Sequence, residues 1–251
     1  MVVVEEFGAG LRALGWVSDL LVAGSLATGD YRRRISDLDL VALTDGPVDA
    51  GRQAELAAVH RRIDAGTGAG LHLGCVYADA ATRAEVAVAH PTWTHGQLVQ
   101  RILSGITRAE LARHGYAVFG REPRAVFPPV SDDDIRAAAR AEVTGYWAWA
   151  ARRPWMWLDP GMADLGLTSM ARGRHALRTG ELLTKTAAIE QAGAPRWLID
   201  QLAARRRGEV VASPRVPAAA IAWWDARRTV ALAKKNRLRA VPPPDRTGGR
   251  T

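Results

Sequence analysis

Residues Val22–Leu43 read VAGSLATGDYRRRISDLDLVAL. The apolar run Leu20-Leu21-Val22-Ala23 ends at Gly24-Ser25, where a chain can turn tightly and leave its amides open. A polar loop follows, and Ser36-Asp37-Leu38-Asp39-Leu40-Val41 then returns to strand character. Residues two apart on a strand share a face, so Asp37 and Asp39 project together while Leu38 and Leu40 project to the other side. Neighbouring carboxylates repel each other unless a cation lies between them. A hard divalent ion such as Mg²⁺ accepts one or two carboxylates together with phosphate oxygens, and open amides at a Gly-Ser turn suit the phosphates. The plainer alternative is a surface loop between two strands whose aspartates are solvated edge residues.

A strand ending in Gly24-Ser25, followed at this spacing by Asp37-x-Asp39, resembles the signature of the polymerase-beta-type nucleotidyltransferase superfamily. The resemblance implies that Asp37 and Asp39 ligate Mg²⁺ and that Gly24 and Ser25 contact the β and γ phosphates of ATP. Ser36 would cap or brace the loop. Arg113-His114-Gly115-Tyr116-Ala117-Val118-Phe119-Gly120, then Pro128-Pro129-Val130, is similar to the end of the catalytic domain in one branch of the superfamily. That branch contains the adenylyltransferases that modify streptomycin and spectinomycin. Thr179-Gly180-Glu181-Leu182-Leu183-Thr184-Lys185 resembles a segment of the same branch whose final lysine contacts the triphosphate.

Elements read outward from this stretch suit an α+β fold: a small mixed-sheet nucleotidyltransferase domain followed by an all-α helical bundle. Val3, Val4, Phe7, Leu11 and Leu14 predict a first helix, and Leu56, Val59 and Ile63 another between 49 and 63. Leu71–Tyr77 reads as a strand, Gln97–His114 as one or two helices and Tyr116–Phe119 as a short edge strand. Pro128-Pro129 marks the boundary between a catalytic domain at 1–130 and a substrate-binding bundle at 131–240. Ser131 before three aspartates reads as a helix cap. Helices are expected near 132–152, 162–178, 181–192, 195–206 and 217–239, joined by short Gly- or Pro-containing links, with a disordered tail at 241–251.

The chain of 251 residues has an ordinary globular composition, 48% hydrophobic and 24% charged. One cysteine, Cys75, excludes an internal disulfide framework and a cysteine-rich zinc site. No apolar run approaches the length that spans a bilayer, and acids stand where a signal peptide needs basic residues, so a soluble cytoplasmic protein is expected. The net charge of +8 lies entirely in residues 191–251, which carry +9 around Arg205-Arg206-Arg207, Arg227-Arg228 and Lys234-Lys235. Without an aromatic-interleaved module this end reads as a solvated helix face, and nucleic acid is not expected as a partner.

Catalytic members of the superfamily usually place a third carboxylate on the next sheet strand. The matching position here is His72, on the face shared by Gly74 and Val76. Three readings stay open: a neutral imidazole replacing the base, a chain with weakened or lost transfer, or a satisfied core histidine. Asp79 and Glu85 are the alternatives if the register differs. Lys185 stands outside the basic end, and a point charge on a flexible stem suits a phosphate. An aminoglycoside acceptor is a polycation, which makes Glu142, Asp159, Asp164 and Glu181 candidate contacts. Trp93, read on a loop after the sheet, is a further substrate candidate, whereas the Tyr146–Trp157 aromatics read as core and interdomain packing.

The expected function is transfer of AMP from ATP, with Mg²⁺, to a hydroxyl of an aminoglycoside-like small molecule. The alternative is a nucleotide-binding or regulatory protein of the same fold with weak or lost transfer.

Overall fold

A computed structural model describes residues 1–239, with side chains described to 235; the expected tail at 241–251 lies outside the described residues. Helix α1 (Val2–Arg12) leads to strand β1 (Val17–Val22), the single turn α2 (Gly24–Ala27) and strand β2 (Leu38–Thr44). Helix α3 (Ala50–Ala65) then crosses to β3 (Leu73–Asp79), which pairs parallel with β2, as such a crossover permits. Strands β4 (Ala89–Thr94) and β5 (Gln97–Ile102), helix α4 (Gly105–His114), edge strand β6 (Tyr116–Phe119) and the short α5 (Pro123–Val126) complete a six-stranded mixed sheet of order β5-β4-β3-β2-β1-β6.

Alternation along β2 divides the sheet into two faces. Leu38, Leu40 and Ala42 pack with Val3, Phe7 and Leu11 of α1 and Leu56 and Ile63 of α3. Val41 and Leu43 pack on the other side with Leu21, Ala78, Leu111 and Phe127. Asp37 and Asp39 belong to this second face, at the end of β2 that is left uncovered. Cys75 is buried in the first core, where loss of water pushes its thiol up to about 12.

Two sequence expectations fail in the sheet. Gln97–Ile102 is a strand, not a helix, because Thr94-His95-Gly96-Gln97 closes a hairpin with left-handed φ values of 49° at His95 and 77° at Gly96. Trp93 therefore lies inside β4 rather than on a loop. It is 2% exposed and stacks on His60 of α3 at 4.5 Å, on the face opposite the aspartates, so it cannot meet a substrate. His60 donates to or accepts from the Tyr77 hydroxyl at 2.7 Å, and burial lowers its pKa to about 3.

Beyond Ser131, whose hydroxyl and the Asp134 carboxylate form a reciprocal cap, the described chain is helical. Helix α6 (Asp132–Glu142) passes through a π-helical turn at Val143–Trp147 into α7 (Ala148–Ala150). A 3-10 turn (Pro154–Leu158), α8 (Pro160–Thr179), α9 (Lys185–Glu190), α10 (Arg196–Arg206) and α11 (Arg215–Arg239) follow. No helix among the described residues is long and apolar enough to cross a membrane. Of the aromatic cluster, Trp147 and Trp157 are core residues as expected, whereas Tyr146 and Trp149 are exposed and stacked at 5.8 Å.

The arginine triplet departs from a solvated helix face. Arg205 makes a paired contact with Asp164 at 2.6 and 2.8 Å, Arg206 is buried against the sheet half, and Arg207 meets Glu209 at 2.7 Å. Asp164 is thereby engaged in bundle packing and does not line the cleft described below. The two halves meet through Arg172–Glu110 at 2.6 Å, Arg113–Asp132 at 2.8 Å and an apolar contact of Ala109 with Ile135, Ala139 and Ala176.

Candidate active site

The end of β1 and the start of β2 are held side by side by the Ala23 N–H, which donates to the Asp39 carbonyl at 2.9 Å. Gly24 then takes a left-handed φ of 59°, and a Cβ at this position would collide with the Asp39 carboxylate. Glycine is required twice over, by the backbone and by the approach of Asp39. Ser25 follows in the α2 turn, and its hydroxyl is buried without a hydrogen-bond partner in the protein. A buried orphan hydroxyl is costly unless a ligand completes it.

Gly24, Ser25, Asp37 and Asp39 form one wall of a cleft of about 270 Å³. Leu183, Thr184 and Lys185, where α9 begins, together with Arg172 of α8, form the opposite wall. Asp39 opens onto this cleft, yet its surroundings remove enough water to push its pKa up to about 6. Burial is the largest cause and the Asp37 charge the next; Lys185 opposes them, Glu110 adds to them and Arg172 opposes them. A carboxylate that resists ionisation beside a second one is a site that a cation would complete.

The donors present fit a hard divalent ion held jointly with phosphate. Two adjacent carboxylates, an orphan Ser25 hydroxyl and the Lys185 ammonium converge on one cleft. No group of three or more His, Cys, Asp or Glu side chains among the described residues could hold a metal by protein ligands alone. A divalent ion held by the two aspartates would take its remaining ligands from water and substrate phosphate.

His72 is not brought to this cleft. It is exposed, precedes β3, and contributes only its carbonyl, which accepts from the Leu38 N–H at 2.8 Å. The strand expected from Leu71 begins two residues later, at Leu73, so His72 stands outside it. Asp79 lies at the opposite end of β3, paired with Thr44, and Glu85 is an exposed residue whose carbonyl accepts from Arg108. On the aspartate face β3 and β4 offer Gly74, Val76 and Thr92, none of them acidic, and Asp19 of β1 lies at the far end of the sheet, bonded to Arg121.

Besides Asp30, the cleft holds Glu110, which sequence reasoning missed because it comes from α4 instead of the sheet. It is 8% exposed and ion-paired with Arg172, whose Nε also donates to the Leu183 carbonyl at 2.8 Å. Arg172, Leu182 and Leu183 also line a tight adjoining recess with Ile106, Glu142 and Trp147. Glu142 stands at that recess, accepting from the Trp147 indole N–H at 3.4 Å.

No protein-family model and no curated protein matches this sequence. A solved structure does match: a spectinomycin adenyltransferase, AAD(9) from Enterococcus faecialis, crystallised with ATP and spectinomycin. It is 14% identical, the match covers 89% of this chain and 98% of that one, and the TM-score is 0.69. The two chains share one fold. The mixed sheet followed by a helical portion, expected from the order of elements along the sequence, is the architecture found.

Proposed function

We propose that the chain is an Mg²⁺-dependent nucleotidyltransferase that moves AMP from ATP to a hydroxyl of an aminoglycoside-like small molecule. The observation that carries the reading is the close approach of Gly24 to Asp39, which sets the Gly-Ser turn beside the Asp37–Asp39 carboxylates in one cleft. The fold shared with an adenyltransferase supports the reaction class, and that enzyme's crystallisation with ATP and spectinomycin supports the choice of nucleotide and acceptor.

Asp37 and Asp39 would hold the ion, which when bound lowers the cost of charge developing at the α-phosphate. Gly24 and Ser25 offer backbone amides and the Ser25 hydroxyl to the outer phosphates, and Lys185 with Arg172 supplies positive charge from the opposite wall. Of the cleft's carboxylates, Asp30 is engaged by Thr186 and Arg206, and the aspartate pair serves the metal. Glu110 is left to accept the proton of the attacking hydroxyl. Glu142, beside the recess next to Arg172, is the acidic contact retained for a cationic acceptor.

One observation favours a second reading, nucleotide binding with weak transfer: the Arg172 guanidinium already neutralises Glu110. Pyrophosphate release separates the two. With Mg²⁺, each NTP and a panel of aminoglycosides including spectinomycin, the first reading expects turnover that Asp39→Asn abolishes. Tight nucleotide binding without turnover on any acceptor would establish the second.

A further inference from the structure

Arg206 ends α10 in the middle of an arginine triplet, yet its side chain is 9% exposed. Its guanidinium leaves the helical half and enters the loop between the Gly-Ser turn and Asp37. There it donates to Ser36 Oγ at 2.9 Å, to the Asp30 carboxylate at 3.1 Å and to the Asp30 carbonyl. Asp30, equally buried, accepts from the Thr186 backbone N–H at 3.0 Å and from the Thr186 hydroxyl. Its own N–H donates to the Ser25 carbonyl at 2.9 Å.

One ion pair is thus linked to three groups of the candidate site. Ser25 is bonded to Asp30 directly, Asp37 follows Ser36 in the chain, and Lys185 precedes Thr186 on α9. Arg206 itself does not line the cleft. Burial pushes the Asp30 carboxyl up, but the Thr186 bonds and the Arg206 charge outweigh it and hold it below the usual carboxylate range. A desolvated pair of this kind contributes through the geometry it imposes, because solvent cannot replace either partner. The neighbouring Arg205–Asp164 contact already ties α10 to α8 within the bundle, so Arg206 is free to serve the loop.

We propose that Arg206 is a positioning residue: through Asp30 and Ser36 it holds the phosphate turn, Asp37 and Lys185 in one geometry, making nucleotide affinity depend on docking of the helical half. The proposal rests on the nucleotide-site reading above. Asp30 is the hub of the device, and a lysine cannot replace Arg206 fully, since a single ammonium does not span Ser36 and Asp30 as a planar fork does.

The test uses the whole chain as wild type, Arg206→Ala, Arg206→Lys and Asp30→Asn. Amide hydrogen exchange is followed without nucleotide, and affinity for a non-hydrolysable ATP analogue with Mg²⁺ is measured by calorimetry. Arg206→Ala should speed exchange at residues 28–37 and at 184–188 together, leaving the β4–β5 hairpin unchanged. It should weaken the analogue about tenfold, or about 1.4 kcal/mol, with Arg206→Lys intermediate. Combining Arg206→Ala with Asp30→Asn should add little to either alone. Faster exchange with unchanged affinity would overturn the proposal, leaving the pair a tether only. Exchange changes confined to α10 would overturn it as well. Wild type that binds no analogue, while the two loop segments still respond together, would bring down the nucleotide reading and the affinity link with it. Should Arg206→Ala fail to fold, the Lys and Asn variants carry the same comparison.

Discussion

Asp30 and Asp39 stand on either side of one loop and border the same cleft, but the protein treats their charges in opposite ways. Asp30 is surrounded by donors and its carboxyl is held low. Asp39 faces another carboxylate and its pKa is raised to about 6, chiefly by burial and then by Asp37. The charge that joins the two halves is compensated from within the chain, and the charge that faces the cleft is left for something else to compensate. That difference separates architecture from chemistry more sharply than burial or sequence type does.

The contrast can be broken at several points. The largest effect is expected from Asp39→Asn, which should lower turnover on the order of a thousandfold, measured as pyrophosphate release, if the pair anchors the transition-state charge. Asp30→Asn should leave Arg206 buried beside a neutral amide and cost about 3 kcal/mol of stability in urea unfolding at neutral pH. Because the Asp30 pKa is depressed, that contribution is present above its unfolded value of 3.8 and fades as pH falls below it. Gly24→Ala forces a choice between backbone strain and displacement of Asp39, a cost of about 1–3 kcal/mol, and should lose nucleotide binding in calorimetry.

Asp39 predicts the opposite pH dependence from Asp30. A raised carboxyl pKa means the folded protein binds the proton more tightly, so this residue lowers stability as pH rises from 3.8 to about 6. Without divalent ions, Asp39→Asn should therefore raise the melting temperature above about pH 6 and leave it unchanged below 3.8. The smallest effect is expected from His72→Ala, whose turnover should equal wild type; a clear loss would return the histidine to the site.

What was legible in the sequence was local. Gly24, Ser25, Asp37 and Asp39 lie within one strand-turn-strand unit, and a period of two with a glycine turn is enough to bring them together. Glu110, Arg172 and Arg206 reach the cleft or its loop from α4, α8 and α10, and no spacing rule encodes how those helices dock. The arginine triplet makes the limit plain: three identical neighbours find Asp164, Asp30 and Glu209, and only Arg206 reaches the loop between the Gly-Ser turn and Asp37. Trp93 was misplaced because a two-residue His-Gly turn was not recognised as a hairpin. His72 falls outside the sheet because the strand starts two residues late, at Leu73, where the chain first pairs with β2.

Cys75 gives the molecule a built-in reporter. The chain's single thiol is sealed between the sheet and α1 and α3, and its pKa of about 12 keeps it protonated in ordinary buffers. Alkylating reagents should therefore modify the native protein only through opening of that core, so the labelling rate measures how often the sheet half comes apart. A cysteine introduced on the helical half would be labelled without competition. The same chain can then carry a dye on one half while its own thiol times the opening of the other.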